Sequence, residues 1–424
     1  MKINRLKFIL QAAIAAFGAY FCMYAFRKPF TVATFSDIQF WGIDYKILLV
    51  IAQVIGYTLS KFLGIKWIAE MPNSKRFLYL ISFITFAEFA LLGFALVPAP
   101  YNILCLFLNG LPLGMIWGIV FSYLEGRKTT EILGVILCSS FIVSSGVVKS
   151  VGKFVMDTWG FNAFWMPFIV GALFVFPLLI FAYLLEQLPK PSLEDEQLRS
   201  KRAPLNKHER FLLYREFAIP LTLIIIFYVF VTGVRDFRDN FAREIWDSLG
   251  YVDSITVYSF SEIPIAISVL LLMIVIGSIK KNKKAFAIYH WVLFFGGVLI
   301  ALATFLFYTN TINAVWWMMS TGFGMYACYI PFQGLFYDRM IATFKIQGNV
   351  GFLIYISDAF GYLGSVCILL YKNFGEKNSS YIHFFSYLIL MVSVLAIVVA
   401  MLSFFFFKNK QKITAQSKHI IYES

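Results

Sequence analysis

The sequence is a succession of apolar runs, each about as long as a bilayer is thick. A hydrocarbon core about 30 Å across takes roughly 20 apolar residues per helix. Breaking the chain at its polar stretches gives twelve such runs, near 8–35, 46–69, 77–97, 102–124, 131–155, 162–186, 217–237, 255–279, 285–308, 312–337, 349–371 and 380–407. Of the 424 residues 60% are hydrophobic and only 14% charged, more apolar surface than one or two soluble cores can hide. Disordered, fibrous and disulfide-scaffold classes fail on the same numbers. The chain reads as an all-α, multi-pass membrane protein.

One long polar stretch, 187–216, is rich in proline and mixed charge. It divides the runs into two six-helix bundles, 1–186 and 217–407, and leaves a tail at 408–424. Basic residues set the orientation, because cytoplasmic loops carry the excess Lys and Arg. With both termini inside, 25 of the 36 Lys and Arg fall on cytoplasmic segments, and only Lys46, Arg238, Arg243, Lys372 and Lys377 fall outside. Asp44, Asp239, Glu244 and Asp247 are then expected in outer loops. The expected location is a bacterial-style cytoplasmic (inner) membrane, with the lipid bilayer as partner and the chain as a monomer. The net charge of +13 is topological on this reading, so nucleic acid is not an expected partner. The first run lacks a small-residue cleavage site and reads as the first helix.

Soluble-type catalysis has no support. The five cysteines sit singly in apolar runs and read as reduced core residues, with no CxxC. The four histidines form no metal pattern, and phosphate-loop and GxSxG signatures are absent. No enzyme, metal or cofactor is expected.

Ionisable residues at membrane depth are costly, and each is a functional hypothesis by default. The candidates are Arg27, Lys28, Lys61, Lys149, Lys153 and Arg235 against Glu88, Glu262 and Asp358. Lys153 is placed to pair with Asp157 one turn on, and Glu88 to hydrogen-bond a neighbouring helix. Tyr20, Tyr24 and Arg27 are spaced four and three apart, on one helical face. Phenols beside a guanidinium suit an oxyanion. Lys28 points elsewhere, and Pro29 is expected to bend the helix. Lys149 lies too deep for easy snorkelling. Asp358 is expected to pair with a base in the cavity or to titrate during a proton-coupled cycle. Glu262 is expected to join Arg235 and His290 in a second network. Gly110, Gly114 and Gly118 on the fourth run and Gly361 and Gly364 on the eleventh suit close helix contact. Trp316–Trp317 and Phe404–Phe407 read as an interface belt.

The run Y-x-x-x-Y-x-x-R-K-P-F at Tyr20–Phe30 resembles the first helix of the organophosphate:phosphate antiporters, a branch of the major facilitator superfamily. GYTLSKFLG, with Ser60, Lys61, Phe62 and Gly64, is similar to that branch's S-K-F-x-x-G. The resemblance implies that Arg27 contacts substrate phosphate with Lys61 nearby. FVTGVRDFRDNF departs from the pattern: Gly233, Asp236 and Phe237 are in place, but Val231 stands where the second phosphate arginine would fall, with Arg235 one turn later. The fifth run has Ser139 and Ser140 where bacterial members carry a histidine.

The expectation is therefore a secondary transporter with the major facilitator fold. It moves a small organic anion, foremost a phosphorylated metabolite exchanged for phosphate. Arg27, Lys61, Tyr24, Tyr20, Lys149 and Arg235 are expected at the substrate, and Asp358, Glu262 and Lys28 in coupling or gating. The alternatives are a proton-coupled carrier of another anion and a transporter-like sensor.

Overall fold

The computed structural model describes residues 2–35, 38–124, 127, 129–189, 214–333, 335–344, 350–375 and 379–423. Most of the expected linker, 190–213, lies outside the described residues. Six helices form the first bundle: α1 (Lys2–Ala25), α2 (Tyr45–Glu70), α3 (Arg76–Leu96), α4 (Ile103–Leu124), α5 (Thr130–Asp157) and α6 (Met166–Glu186). The second contains α7 (Ala218–Asn240), a short α8 (Ala242–Ser248), α9 (Val257–Gly277), α10 (Asn282–Tyr308), α11 (Ala314–Tyr329), α12 (Leu335–Phe344), α13 (Val350–Leu370) and α14 (Tyr381–Glu423). Ten of these helices are long and apolar enough to cross a membrane. The α11–α12 pair and α13 complete twelve spans in two bundles of six.

Three departures from the apolar runs have local causes. The first run does not continue to residue 35: α1 stops at Ala25, and Pro29–Val32 form a 3-10 turn. Pro29 removes a backbone donor and disfavours helix at the residue before it. The carbonyls freed by this break are taken up by side chains of other helices. Asn109 Nδ2 donates to Phe26 O and Gln53 Nε2 to Arg27 O, both at 3.0 Å, and Gln53 also donates to Asn109 Oδ1 at 2.8 Å. The tenth run is broken in the same way around Pro331, where a 3-10 turn (Ile330–Gln333) separates α11 from α12. The last run overshoots its expected end at 407, because no Gly or Pro interrupts 381–423 and α14 continues to Glu423.

A small hairpin, β1 (Gln39–Phe40) against β2 (Ile43–Asp44), follows the first span. Its turn residues Trp41 and Gly42 both have left-handed backbone, φ 55° and 71°, as a tight two-residue hairpin demands.

Glycines bring helices into backbone contact, as expected on α4 and α13. A Cβ on Gly110 would lie 2.3 Å from Gln53 O of α2, and one on Gly364 2.3 Å from Val229 Cγ1 of α7. Gly146 of α5 does the same across the bundles, with Tyr258 O of α9 at 2.5 Å from its would-be Cβ. With no hydrophobic drive between helices in lipid, such close approach is a main source of packing energy.

The cysteine and aromatic expectations need correction. Cys22, Cys138 and Cys328 are buried, but Cys105 is half-buried and Cys367 exposed; all are free. Trp316 faces outward, whereas Trp317 is fully buried and stacks on Phe307 at 4.4 Å. Phe407 is likewise buried among Phe217, Phe286 and Phe344. A residue near a span end can face its own bundle instead of the interface, and one-dimensional position does not say which.

Candidate functional site

Between the bundles α1, α2 and α5 face α7, α9 and α13, and their polar side chains converge there. On α7 the stripe Tyr228, Thr232, Arg235, Asp236 and Asp239 follows the helical repeat, and on α13 Asp358, Tyr362 and Ser365 do so. These two stripes meet Tyr20, Tyr24, Arg27, Lys28, Tyr57, Lys61, Ser145 and Lys149 of the first bundle.

Arg27 lies two residues past the end of α1, held through its own carbonyl by Gln53. It is 2% exposed. Its guanidinium carbon sits 3.7 Å over the Tyr57 ring and 6.0 Å from that of Tyr24, so one face is sealed by cation–π contact. Tyr20 packs edge-on against Tyr24 at 5.7 Å. Among the described residues neither Nε nor Nη2 of Arg27 has a hydrogen-bond partner, and no carboxylate pairs with it. A buried guanidinium with open donors is a costly arrangement for a folded chain to keep.

The other expected residues are paired. Lys61 Nζ reaches Asp358 Oδ2 of the opposite bundle at 3.2 Å. The other oxygen of Asp358 accepts from Tyr228 Oη at 2.6 Å and from Gln333 Nε2 at 3.1 Å. The break at Pro331 is what places Gln333 there. Arg235 pairs with its neighbour Asp236 at 2.7 Å, donates to Tyr362 Oη at 3.2 Å and stacks over Tyr329 at 4.4 Å. Ser365 Oγ donates to the second oxygen of Asp236 at 2.9 Å. The Tyr57 and Tyr362 rings lie 4.8 Å apart, so tyrosines bridge Arg27 to Arg235 across the bundles.

At the end of the molecule where α1, α5 and α7 finish, the bundles are clamped by charge. Asp239 accepts from three donors of the first bundle: Lys28 Nζ at 2.5 Å, Lys149 Nζ and Ser145 Oγ. Lys28 also donates to Asn240 Oδ1 at 2.7 Å. Lys46 pairs with Glu244 of α8 and donates to Thr31 O at 2.6 Å. Seven bases (Arg27, Lys28, Lys46, Lys61, Lys149, Arg235, Arg238) face five acids (Asp236, Asp239, Glu244, Glu262, Asp358). Among the described residues, the excess of two arises because Lys28 and Lys149 share Asp239 and Arg27 has no acid.

Several expectations are overturned. Asp239, Glu244, Arg238 and Lys46 are not loop residues in water; Arg238 and Lys46 are 3% and 4% exposed. The seventh span continues to Asn240, three residues past the expected end. Glu262 pairs with Arg238 at 2.5 Å and not with Arg235. His290 stands apart, its Nδ1 2.9 Å from Phe286 O and its ring among Phe336, Phe404 and Phe407. Ser139 and Ser140 hydrogen-bond back to Ile136 and Leu137 carbonyls and do not enter the site. Lys153 pairs with Asp157 at 3.0 Å, as expected, whereas neither oxygen of Glu88 has a hydrogen-bond partner among the described residues. Among the described residues no cluster of His, Cys, Asp and Glu suits a metal ion.

Comparison with known structures defines the class. The chain superposes on the inward-open xylose transporter XylE of E. coli (TM-score 0.58, 13% identity, 92% of this chain and 94% of that one). It does so on the nucleoside transporter NupG (0.59, 16%, 95% and 99%) and on a bacterial homologue of the human drug peptide transporters PepT1 and PepT2 (0.59, 12%, 96% and 99%). This is a membrane protein of the major facilitator fold. No curated protein matches the sequence significantly. Residues 29–410 match the profile described as "Family of unknown function (DUF5690)", and the chain belongs to that family.

Proposed function

We propose that the protein is a secondary transporter of a small organic anion, foremost a phosphorylated metabolite exchanged for phosphate. The observation that carries this reading is Arg27, a fully buried guanidinium with one face sealed by Tyr57 and, among the described residues, two unfilled donors and no carboxylate partner. A fixed fork of donors matches an oxyanion, and the excess of two positive charges suits a dianion.

In this reading Arg27, Lys61, Tyr20, Tyr24 and Arg235 line the substrate site near the midplane, where transporters of this plan bind. Lys28 and Lys149 belong with Asp239 to a gate that closes one end. On the expected orientation, with the basic loops and both termini in the cytoplasm, the closed end is the outer one. Lys61–Asp358 is the coupling pair: it ties the bundles together at the level of the site, and an anion at Arg27 competes for Lys61. Arg238–Glu262 braces α7 against α9.

The test is flux. Purified protein in vesicles loaded with inorganic phosphate is expected to take up labelled phosphorylated metabolites, and to stop when internal phosphate is omitted. Uptake that ignores internal phosphate but follows a pH gradient makes it a proton-coupled carrier. Binding without any flux makes it a sensor. Orientation is checked separately: Asp253→Cys is expected to react with an impermeant thiol reagent from outside the cell, and Lys281→Cys only from inside. The reverse pattern would invert the gate assignment.

A further inference from the structure

Two amide side chains hold the backbone on either side of Arg27, and all four of their N–H donors are committed. Gln53 Nε2 of α2 donates to Arg27 O at 3.0 Å and to Asn109 Oδ1 at 2.8 Å. Asn109 Nδ2 of α4 donates to Phe26 O and to Ala87 O of α3, each at 3.0 Å. Both side chains are fully buried. Turning either amide over would set its oxygen against two other oxygens, so the network has one orientation.

The Phe26 and Arg27 carbonyls belong to the two peptide planes that meet at the Arg27 Cα. Each plane is rigid, so anchoring both fixes φ and ψ of Arg27 and the direction in which its side chain leaves the backbone. The opposite edges of the same planes are held from within the first span: the Arg27 and Lys28 amides both donate to Tyr24 O, at 3.0 and 2.9 Å. The far end of the side chain is held by α2 as well. Tyr57, one turn after Gln53, lies 3.7 Å from the guanidinium carbon, and Lys61, one turn further, reaches Asp358. Positions 53, 57 and 61 share one helical face. A single helix therefore sets the Arg27 backbone, its stacking partner and the coupling lysine at fixed spacing.

We propose that Gln53 and Asn109 are positioning residues of the anion site. By clamping both peptide planes they aim the Arg27 fork in advance, so an oxyanion meets aligned donors and does not have to order them on binding. The inference rests on the anion reading of Arg27.

The test is calorimetric titration of the purified protein with inorganic phosphate. Gln53→Ala leaves a polar gap between Arg27 O and Asn109 Oδ1 that a water molecule can fill, so the fold is kept while the tie to α2 is lost. It is expected to raise the phosphate Kd about tenfold or more, with an unchanged gel-filtration profile. Gln53→Asn, whose shorter amide falls short of Arg27 O, is expected to do the same. Placed in the Arg27→Lys background, Gln53→Ala should change the Kd less than about twofold, because an ammonium has no planar fork to aim. An equal loss in both backgrounds would show general support of the fold and overturn the proposal. Failure of both Gln53 variants to fold would overturn it too. A parent protein that does not bind phosphate sinks the anion reading and this inference with it, whereas parent binding that Gln53→Ala leaves unchanged sinks this inference alone.

Discussion

Replacing Arg27 by lysine is expected to weaken oxyanion binding by about 1–3 kcal/mol, roughly 5- to 150-fold, without unfolding the protein. The ammonium keeps the charge but cannot present two parallel donors, and it loses much of the planar stacking on Tyr57. Arg27→Ala is expected to abolish binding. Gln53 and Asn109 hold the backbone here through the Phe26 and Arg27 carbonyls, so either side-chain change leaves the chain break in place. The measurement is a thermal-shift titration with phosphorylated metabolites and inorganic phosphate, because a ligand of the folded state raises its apparent stability. Parent-like binding by the lysine variant would make Arg27 a structural counter-charge, and the anion reading would lose its main support.

Asp239→Ala should be the most damaging single change outside the anion site. It removes the one carboxylate that takes Lys28, Lys149 and Ser145 together. Deleting one partner of a buried ion pair typically costs about 3–5 kcal/mol, because the remaining charge stays buried without compensation. Asp239→Asn keeps an acceptor oxygen and should cost less. A double-mutant cycle of Asp239→Ala with Lys149→Met, followed by thermal unfolding, isolates the pair. The double variant should recover part of the loss, giving a coupling of about 1 kcal/mol or more. Strictly additive effects would mean that the clamp is incidental to how the bundles close.

Some of the site was readable from residue types and spacing. Arg27 stood out because an arginine followed by resumed apolar sequence cannot sit at a simple helix end. Lys61 and Asp358 stood out as isolated charges in apolar runs, and they meet. Asp236 and Asp239 carried a legible signal as well: with Tyr228, Thr232 and Arg235 they follow the helical repeat along one face. Ending the seventh span at Phe237 assigned Asp239 to water. Gln53 and Asn109 gave no comparable signal, since polar amides in apolar helices have many uses. Their role depends on carbonyls freed by a break in another helix.

Apolar run length determined the twelve spans, because a bilayer admits backbone only where its hydrogen bonds are satisfied within the protein. Pro29 marked where the first span would bend, but the break at Pro331 was not legible in the sequence, because Pro112, Pro177 and Pro264 sit inside continuous helices. Which acid neutralises which base was left to the tertiary structure. Arg238 took Glu262, Arg235 took Asp236, and one carboxylate served two lysines, because pairing in a low-dielectric interior follows distance and direction between helices far apart in sequence. That, among the described residues, Arg27 was left without an acid and Glu88 without a hydrogen-bond partner is likewise a property of the packed bundles alone.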